Sequence, residues 1–303
     1  MTLTADLAPH DELRACGRRV SVVVITRDRA DELLHSLARL HQLPERPDVV
    51  VVDHGSRDGT PDRALERFPR TRVLRCEDDH GAAGRTIGAR AVTTPYVAFC
   101  DDDSWWAPGS LARAVRLLDA HSDVGLLAAR VLLGADERLD PVCAVMSASP
   151  LRGRPGLPGR RVLGFIACGA VVRRAAFLDV GGFDPRLGLG GEERLLATDL
   201  TVRGQSLVYC PELVAHHHPS MTRDRFARQV VQVRNDLWFA WLRHRGTVAL
   251  HATAAAARAA VREPAARAGM VHAIRGWRTV LGSRRPVPPA LEADLLLLQA
   301  IIA

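Results

Sequence analysis

Two runs of β-branched residues constrain this chain most: Val20-Ser21-Val22-Val23-Val24-Ile25-Thr26, and Val49 to Val52 between Asp48 and Asp53. Neither carries a helical period and neither alternates apolar with polar, so both are strands buried on two faces. Layers must therefore cover the sheet above and below. Leu33, Leu34, Leu37 and Leu40 mark one face of a helix after the first strand. Thr60-Pro61-Asp62 opens another as cap, first helical residue and first-turn acid. Arg72 to Arg75 predicts a third strand, Gly81 to Ala91 a Gly- and Ala-rich loop and helix, and Tyr96 to Cys100 a fourth strand. This alternation predicts an α/β fold, a Rossmann-like, mostly parallel sheet with helices on both faces.

The fourth strand runs directly into Asp101-Asp102-Asp103, followed by Ser104-Trp105-Trp106. Open α/β sheets bind ligands at the carboxyl ends of their strands. Three carboxylates this close repel one another, and a cation between them accounts for the cluster. Oxygen-only ligands suit Mg²⁺ or Mn²⁺ better than zinc. The plainer alternative is an acidic turn capping the helix that begins near Ala107-Pro108. The two tryptophans suit stacking on a sugar ring and core packing about equally.

Past Trp106 the pattern changes. Pro108 to Ala120 predicts a helix and Val124 to Leu133 a strand. Ser149 to Arg161, rich in Pro, Gly and Arg, is expected to be a mobile loop of the kind that closes over substrates. Strand-like sequence continues over 161–173. Gly190-Gly191-Glu192-Glu193 opens a helix with its acids at the positive end. Ser206 to Cys210 is another strand, and His216-His217-His218 follows. From Met221 the chain reads as helical, with Phe226, Val230, Val233, Leu237 and Trp241 in one stripe and an apolar segment over 291–302. The expected organisation is a flexible stretch over 1–18, a domain over 19–220 (halves 19–106 and 107–220) and a C-terminal helical extension over 221–303.

The net charge of +7 is unevenly placed. From Ser220 onward there are 13 arginines against 5 acids, net +8, which leaves the preceding 219 residues nearly neutral. A basic tail points to an anionic partner such as a lipid surface, to a dimer contact, or simply to a solvated helical face. No recognition motif accompanies the charge, so nucleic acid is not an expected partner. The six cysteines form no CxxC pair and sit in or beside apolar runs, as reduced core residues of a cytoplasmic protein do. No apolar run approaches the ~20 residues of a spanning helix. The expected location is cytoplasmic, with peripheral contact at the inner membrane face allowed by the tail.

Six segments in order, VSVVVITRDR, VVVVDHGSRDGT, GAAGRTIGARA, YVAFCDDDSWW, GGFDPRLGLGGEE and VAHHHP, resemble the family 2 glycosyltransferases, inverting, nucleotide-sugar-dependent enzymes of the GT-A fold. The resemblance covers about Val20 to Trp241. It implies that 19–106 is the nucleotide-sugar-binding half and 107–220 the acceptor and catalytic half. It also implies that Thr26, Asp28 and Asp53 hold the donor's base and ribose, with Asp53 and Asp58 alternatively serving as turn residues. Arg85 matches the arginine of an Arg-Asn element near the diphosphate, with Thr86 in place of the asparagine. Asp101 and Asp103 match the DxD pair that binds Mg²⁺ or Mn²⁺; Asp101 also faces the donor, and Asp103 is the more direct ligand. Asp102, which alternates to the other side of the run, is grouped with the donor-binding residues. Glu193, with Glu192 as substitute, matches the catalytic base. A family histidine after the late strand completes the metal site; His216 fits first and His218 second, with His217 a bystander. The implied reaction is inverting transfer of a sugar from a nucleoside-diphosphate sugar to an acceptor hydroxyl on a glycan, a lipid-linked molecule or a secondary metabolite. A sugar-1-phosphate nucleotidyltransferase and a non-catalytic sugar- or nucleotide-binding relative are the alternatives. The first lacks its Gly-rich, Lys-containing loop here.

Overall fold

The computed structural model describes residues 10–219 and 225–302. Four strands in chain order, β1 (Val20–Thr26), β2 (Asp48–His54), β3 (Arg72–Cys76) and β4 (Tyr96–Asp101), build the parallel half of one sheet in the order β3-β2-β1-β4. Every residue of β1 is buried, as is every residue of β2 after Asp48. This is the two-sided burial that their unbroken valine runs require. Between them lie α2 (Ala30–His41), α3 (Thr60–Arg67) and α4 (Gly84–Ala91). Gly88 lets α4 lie flat on the sheet, because a Cβ there would stand 2.3 Å from Val23 Cγ1.

The sheet continues with β5 (Ser104–Trp106), β6 (Val124–Leu133), β9 (Ala170–Arg173) and β10 (Ser206–His217) in the order β4-β9-β6-β10-β5. The short strands β7 (Arg138–Leu139) and β8 (Arg160–Arg161) pair with β6 and β10. β9 runs antiparallel to both β4 and β6, so the carboxyl ends of β4, β6 and β10 share one edge of the sheet. β10 continues well past the expected end at Cys210. A register shift between Cys210 and Val214 carries the strand across Pro211, where a ladder hydrogen bond is not required.

Four expectations change. The flexible N-terminal stretch gives way over its second half to a helix, α1 (His10–Gly17), whose Leu13 is buried; residues 1–9 lie outside the described residues. The loop over 149–161 does not cover the acid cluster. Arg154 pairs with Asp123, and Arg160 lies opposite Tyr209, near the start of β10. Tyr209 and His217 pair with Ala128 and Leu133 of β6, so the two ends are separated by five residues of regular strand, roughly 17 Å at about 3.3 Å per residue. Both tryptophans are buried, Trp106 completely, so packing rather than sugar stacking explains them. Finally, the stripe on α9 (Arg225–Arg243) is only partly right: Phe226 is exposed, while Trp238, Phe239 and Leu242 are buried beside Leu237. The expected helix start at Met221 lies outside the described residues.

The C-terminal helices share a core with the sheet domain. Leu237, Trp238, Phe239 and Leu242 of α9 cluster with Leu151, Leu163, Leu187 and Leu195. Val287, Leu291 and Leu295, the last two from α13 (Pro289–Ile302), join the same cluster. No helix among the described residues is long and apolar enough to cross a membrane.

Candidate functional site

The acid cluster is the turn from β4 into β5. Asp101 donates its backbone N–H to Ser104 Oγ at 2.8 Å, while Asp102 and Asp103 turn back toward the exit of β1. There Thr26 Oγ1 donates to Asp102 Oδ2 at 3.0 Å. Arg29 spans both carboxylates, Nη1 lying 2.9 Å from Asp102 and Nη2 3.0 Å from Asp103. Asp101 pairs instead with Arg85. Part of the positive charge that the cluster demands thus comes from the chain itself. Burial pushes the Asp102 carboxyl up to about 7 despite Arg29, its two acidic neighbours adding to the shift. Against the upward push of burial, His217 and Arg29 hold Asp103 below the usual carboxylate range.

Two loops cross to bring Arg85 against the second pair of acids. A Cβ on Gly81 would lie 2.9 Å from Gly188 Cα, and Ala82 donates its N–H to Gly188 O at 3.2 Å. Arg85, which follows this crossing on α4, is 2% exposed and stacks over Phe183 at 5.6 Å. Burial disfavours its charge, but Asp101, Glu192 and Glu193 outweigh that and keep it cationic. Its Nε and Nη1 have no hydrogen-bond partner among the described residues. Thr86, the replacement for the family asparagine, accepts the Phe183 N–H at 2.9 Å and ties α4 to the Gly-Gly-Phe-Asp turn.

Glu192 and Glu193 begin α8 (Glu192–Val202) after Gly190 and Gly191, whose φ of 114° and 84° suit glycine. Glu192 is buried and accepts the Gly190 N–H, while Glu193 is partly exposed. Burial raises the pKa of both above the ordinary glutamate value, with Glu192 adding to the shift of Glu193. From α9, Asn235 Nδ2 donates to Leu187 O at 2.9 Å and also to Gly190 O. Arg234 adds a second donor to Leu187 O at 2.6 Å. The loop that presents the two glutamates is thus fastened by the helical extension.

The histidine assignment is corrected. His216 and His218 do share a face of the extended chain, but that face looks away from the carboxylates. His216 stacks on Trp105 at 5.4 Å and lies 3.2 Å from Glu137; His218 lies 4.7 Å from the Trp105 ring. The opposite face belongs to His217, whose Nε2 stands 3.3 Å from Asp103 Oδ1. Strand alternation makes the choice binary, and the bulge at Pro211 sets which parity faces the site.

The remaining expected donor residues line the exits of β1 and β2. Asp53 is 2% exposed; its Oδ2 accepts the Ser56 N–H at 3.1 Å, as a turn residue does, while its buried Oδ1 has no partner among the described residues. Asp28 adopts φ 51° and accepts the Arg57 N–H at 2.6 Å, which joins the two exit loops. Asp58 accepts the Thr60 N–H at 2.9 Å, as a turn residue ahead of α3 does.

A divalent cation fits this edge. Asp101, Cys168 and His217 offer one ligand atom each, all within 4.8 Å of one another. His217 Nδ1 is buried without a hydrogen-bond partner among the described residues. The sequence assigns no role to Arg29, places Cys168 with the core cysteines and makes His217 a bystander. Arg29 carried a signal, a cation three residues beyond a strand that parallels the acid-bearing one. The other two depend on long-range register.

The glycosyl transferase family 2 model matches residues 21–181. An N-acetylglucosaminyl-diphospho-decaprenol L-rhamnosyltransferase of Mycobacterium tuberculosis is 29% identical over 241 residues, 67% of this chain and 77% of that protein. A pre-mycofactocin glycosyltransferase from the same organism is 35% identical over 222 residues, 70% of this chain but only 45% of its own length. The fold matches that of the mannosyltransferase PcManGT from Pyrobaculum calidifontis, solved with GDP-Man and Mn²⁺, with a TM-score of 0.58. That match is 22% identical and covers 93% of this chain and 86% of the other. The motif order, the sheet with its acid-bearing edge and the family match lead to one assignment: the chain belongs to glycosyl transferase family 2 and is a glycosyltransferase of the GT-A fold.

Proposed function

We propose that this chain transfers a sugar, with inversion, from a nucleoside diphosphate to an acceptor hydroxyl, using Mg²⁺ or Mn²⁺ and a glutamate base. The observation that carries the reading is a juxtaposition: one sheet edge holds cation-ligand atoms within 4.8 Å of one another and, across Arg85, a glutamate pair with raised pKa values. Asp101 and His217 hold the cation, and Asp103, 3.3 Å behind His217, orients the imidazole as second-layer carboxylates do. When bound, the cation neutralises charge on the departing diphosphate. Arg85 has buried donors to spare for the same phosphates. Thr26, Asp28 and Asp53 line the exits of β1 and β2 where base and ribose lie, and Asp102 braces that wall through Thr26 and Arg29.

Glu193 takes the acceptor proton. Glu192 is committed to its own loop, whereas Glu193 is partly exposed and its raised pKa suits proton transfer near neutrality. Since its pKa is raised, the reactive carboxylate is lost as pH falls through that value, and the acid limb of kcat/KM lies above the ordinary 4.5. The acceptor hydroxyl sits on a lipid-linked, glycan or secondary-metabolite molecule. The rhamnosyltransferase relative, whose name specifies a diphospho-decaprenol substrate, supports the lipid-linked class. Arg258, Arg262, Arg267, Arg275 and Arg278, interspersed with exposed Val261, Val271 and Ile274 on neighbouring helices, give the extension a face suited to anionic lipid headgroups. The test is sugar transfer from a donor panel, with the product's anomeric configuration read by NMR. Inversion is expected, along with a loss of about 10²-fold or more in Glu193→Gln and of its acid limb. Retention of configuration, or full activity in both Glu192→Gln and Glu193→Gln, contradicts the reading.

A further inference from the structure

The thiol of Cys168 stands where the sheet topology leaves little choice. Strand β9 runs antiparallel to β4 with Tyr96 opposite Arg173, Val97 opposite Val172 and Ala98 opposite Val171. The 3-10 turn just before β9 then sets Cys168 beside the end of β4, its sulfur within 4.8 Å of an Asp101 carboxylate oxygen. The 3-10 turn Ala167–Gly169 that carries Cys168 is pressed against β6, where a Cβ on Gly169 would meet Val131 Cγ2 at 2.6 Å. His217 arrives from β10 on the other flank. The three residues come from three separate elements, and Cys168 and His217 are 1% and 9% exposed. His217 Nδ1 has no hydrogen-bond partner among the described residues.

We propose that Cys168 is a metal ligand, completing with Asp101 and His217 a mixed oxygen, nitrogen and sulfur site that favours borderline ions such as Zn²⁺, Co²⁺ and Cd²⁺. The inference rests on the reading of this edge as the cation site of the transferase and goes beyond it by changing the ion that the site prefers. Carboxylates alone suit Mg²⁺ and Mn²⁺, imidazole suits Zn²⁺ and its neighbours, and a thiolate draws a site further toward soft and borderline metals. Three protein ligands leave positions open for the oxygens of a substrate diphosphate. On binding, the sulfur–metal bond forms as the thiol proton passes to solvent, and no electron changes hands. Cys100 is not an equivalent candidate, because it precedes Asp101 by one residue in the strand and points to the other face.

The decisive experiment is a Co²⁺ titration of the metal-free full chain, followed by optical absorption. A thiolate-to-cobalt band saturating at one ion per chain is expected. Cys168→Ser abolishes the band and weakens Cd²⁺ and Zn²⁺ binding about 10-fold or more, while Cys100→Ser keeps it. Cys168→Ala serves as a second variant, with circular dichroism melting to establish that each is folded. Absence of the band in the unmodified chain, or its persistence in Cys168→Ser, overturns the proposal whatever the variants' stability. Such a failure would leave Mn²⁺-dependent transfer standing. Conversely, a cobalt band in a chain that binds no nucleoside diphosphate would sink the transferase reading and keep the metal site.

Discussion

His216 and His217 are chain neighbours with opposite surroundings, and the difference decides what each can do. His217 faces Asp103, Asp101 and Cys168; His216 lies flat against Trp105. His217→Ala is expected to weaken Mn²⁺ binding about 10-fold or more, as loss of a ligand does at minimum. His216→Ala is expected to leave Mn²⁺ affinity unchanged and to alter Trp105 fluorescence and melting temperature. Calorimetric titration of both variants with Mn²⁺ checks this, and equal losses in the two would refute the assignment. At this scale the sequence was legible wherever a residue's role follows from a strand end. Asp101 and Asp53 both sit at the exits that their valine- and aromatic-rich runs announce. It was not legible where parity depends on a bulge: Pro211 signals a ladder fault, but nothing local says that three positions, an odd number, are absorbed before Val214.

Among the elements, α9 does the most for the site without touching the acid cluster. Asn235 is 1% exposed and spends its side-chain amide on the carbonyls of Leu187 and Gly190, just before the two glutamates. Arg243 adds a two-point pairing with Asp199 of α8, at 2.6 and 2.7 Å. Asn235→Ala takes the side-chain donor from the Gly190 carbonyl and leaves Leu187 O with Arg234 alone, which costs about 1–3 kcal/mol. The expected signature is a lowered melting temperature with kcat reduced more than the donor KM, because Glu193 is displaced while the β1, β2 and β4 exits are not. A change in donor KM alone would contradict a positioning role. That α9 is an amphipathic helix was plain from its apolar spacing. Which residues it buries was not, because it packs on the sheet domain and on the later helices at once, and a single stripe describes only one contact.

For the molecule as a whole, the parallel half of the sheet was readable from β-branched runs and their spacing, since two-sided burial leaves a strand no polar alternation. The antiparallel β9, inserted between β4 and β6, was not readable, because strand order is set by long-range pairing. Yet that insertion delivers Cys168 to the acid cluster and aligns the carboxyl ends of β4, β6 and β10. The helical extension likewise packs onto the second half of the sheet domain, joined through a shared core that holds Leu187 and Leu195 on either side of the glutamates. All of these features converge on one edge, and the central claim is that this edge binds a metal–nucleoside diphosphate pair. Calorimetric titration with uridine, guanosine and thymidine diphosphates, with Mn²⁺ and with chelator, tests it most directly in the unmodified chain and in Asp101→Asn. The account predicts binding of at least one diphosphate that requires Mn²⁺ and falls about 10-fold or more in Asp101→Asn; binding that is indifferent to both chelator and the substitution would contradict it.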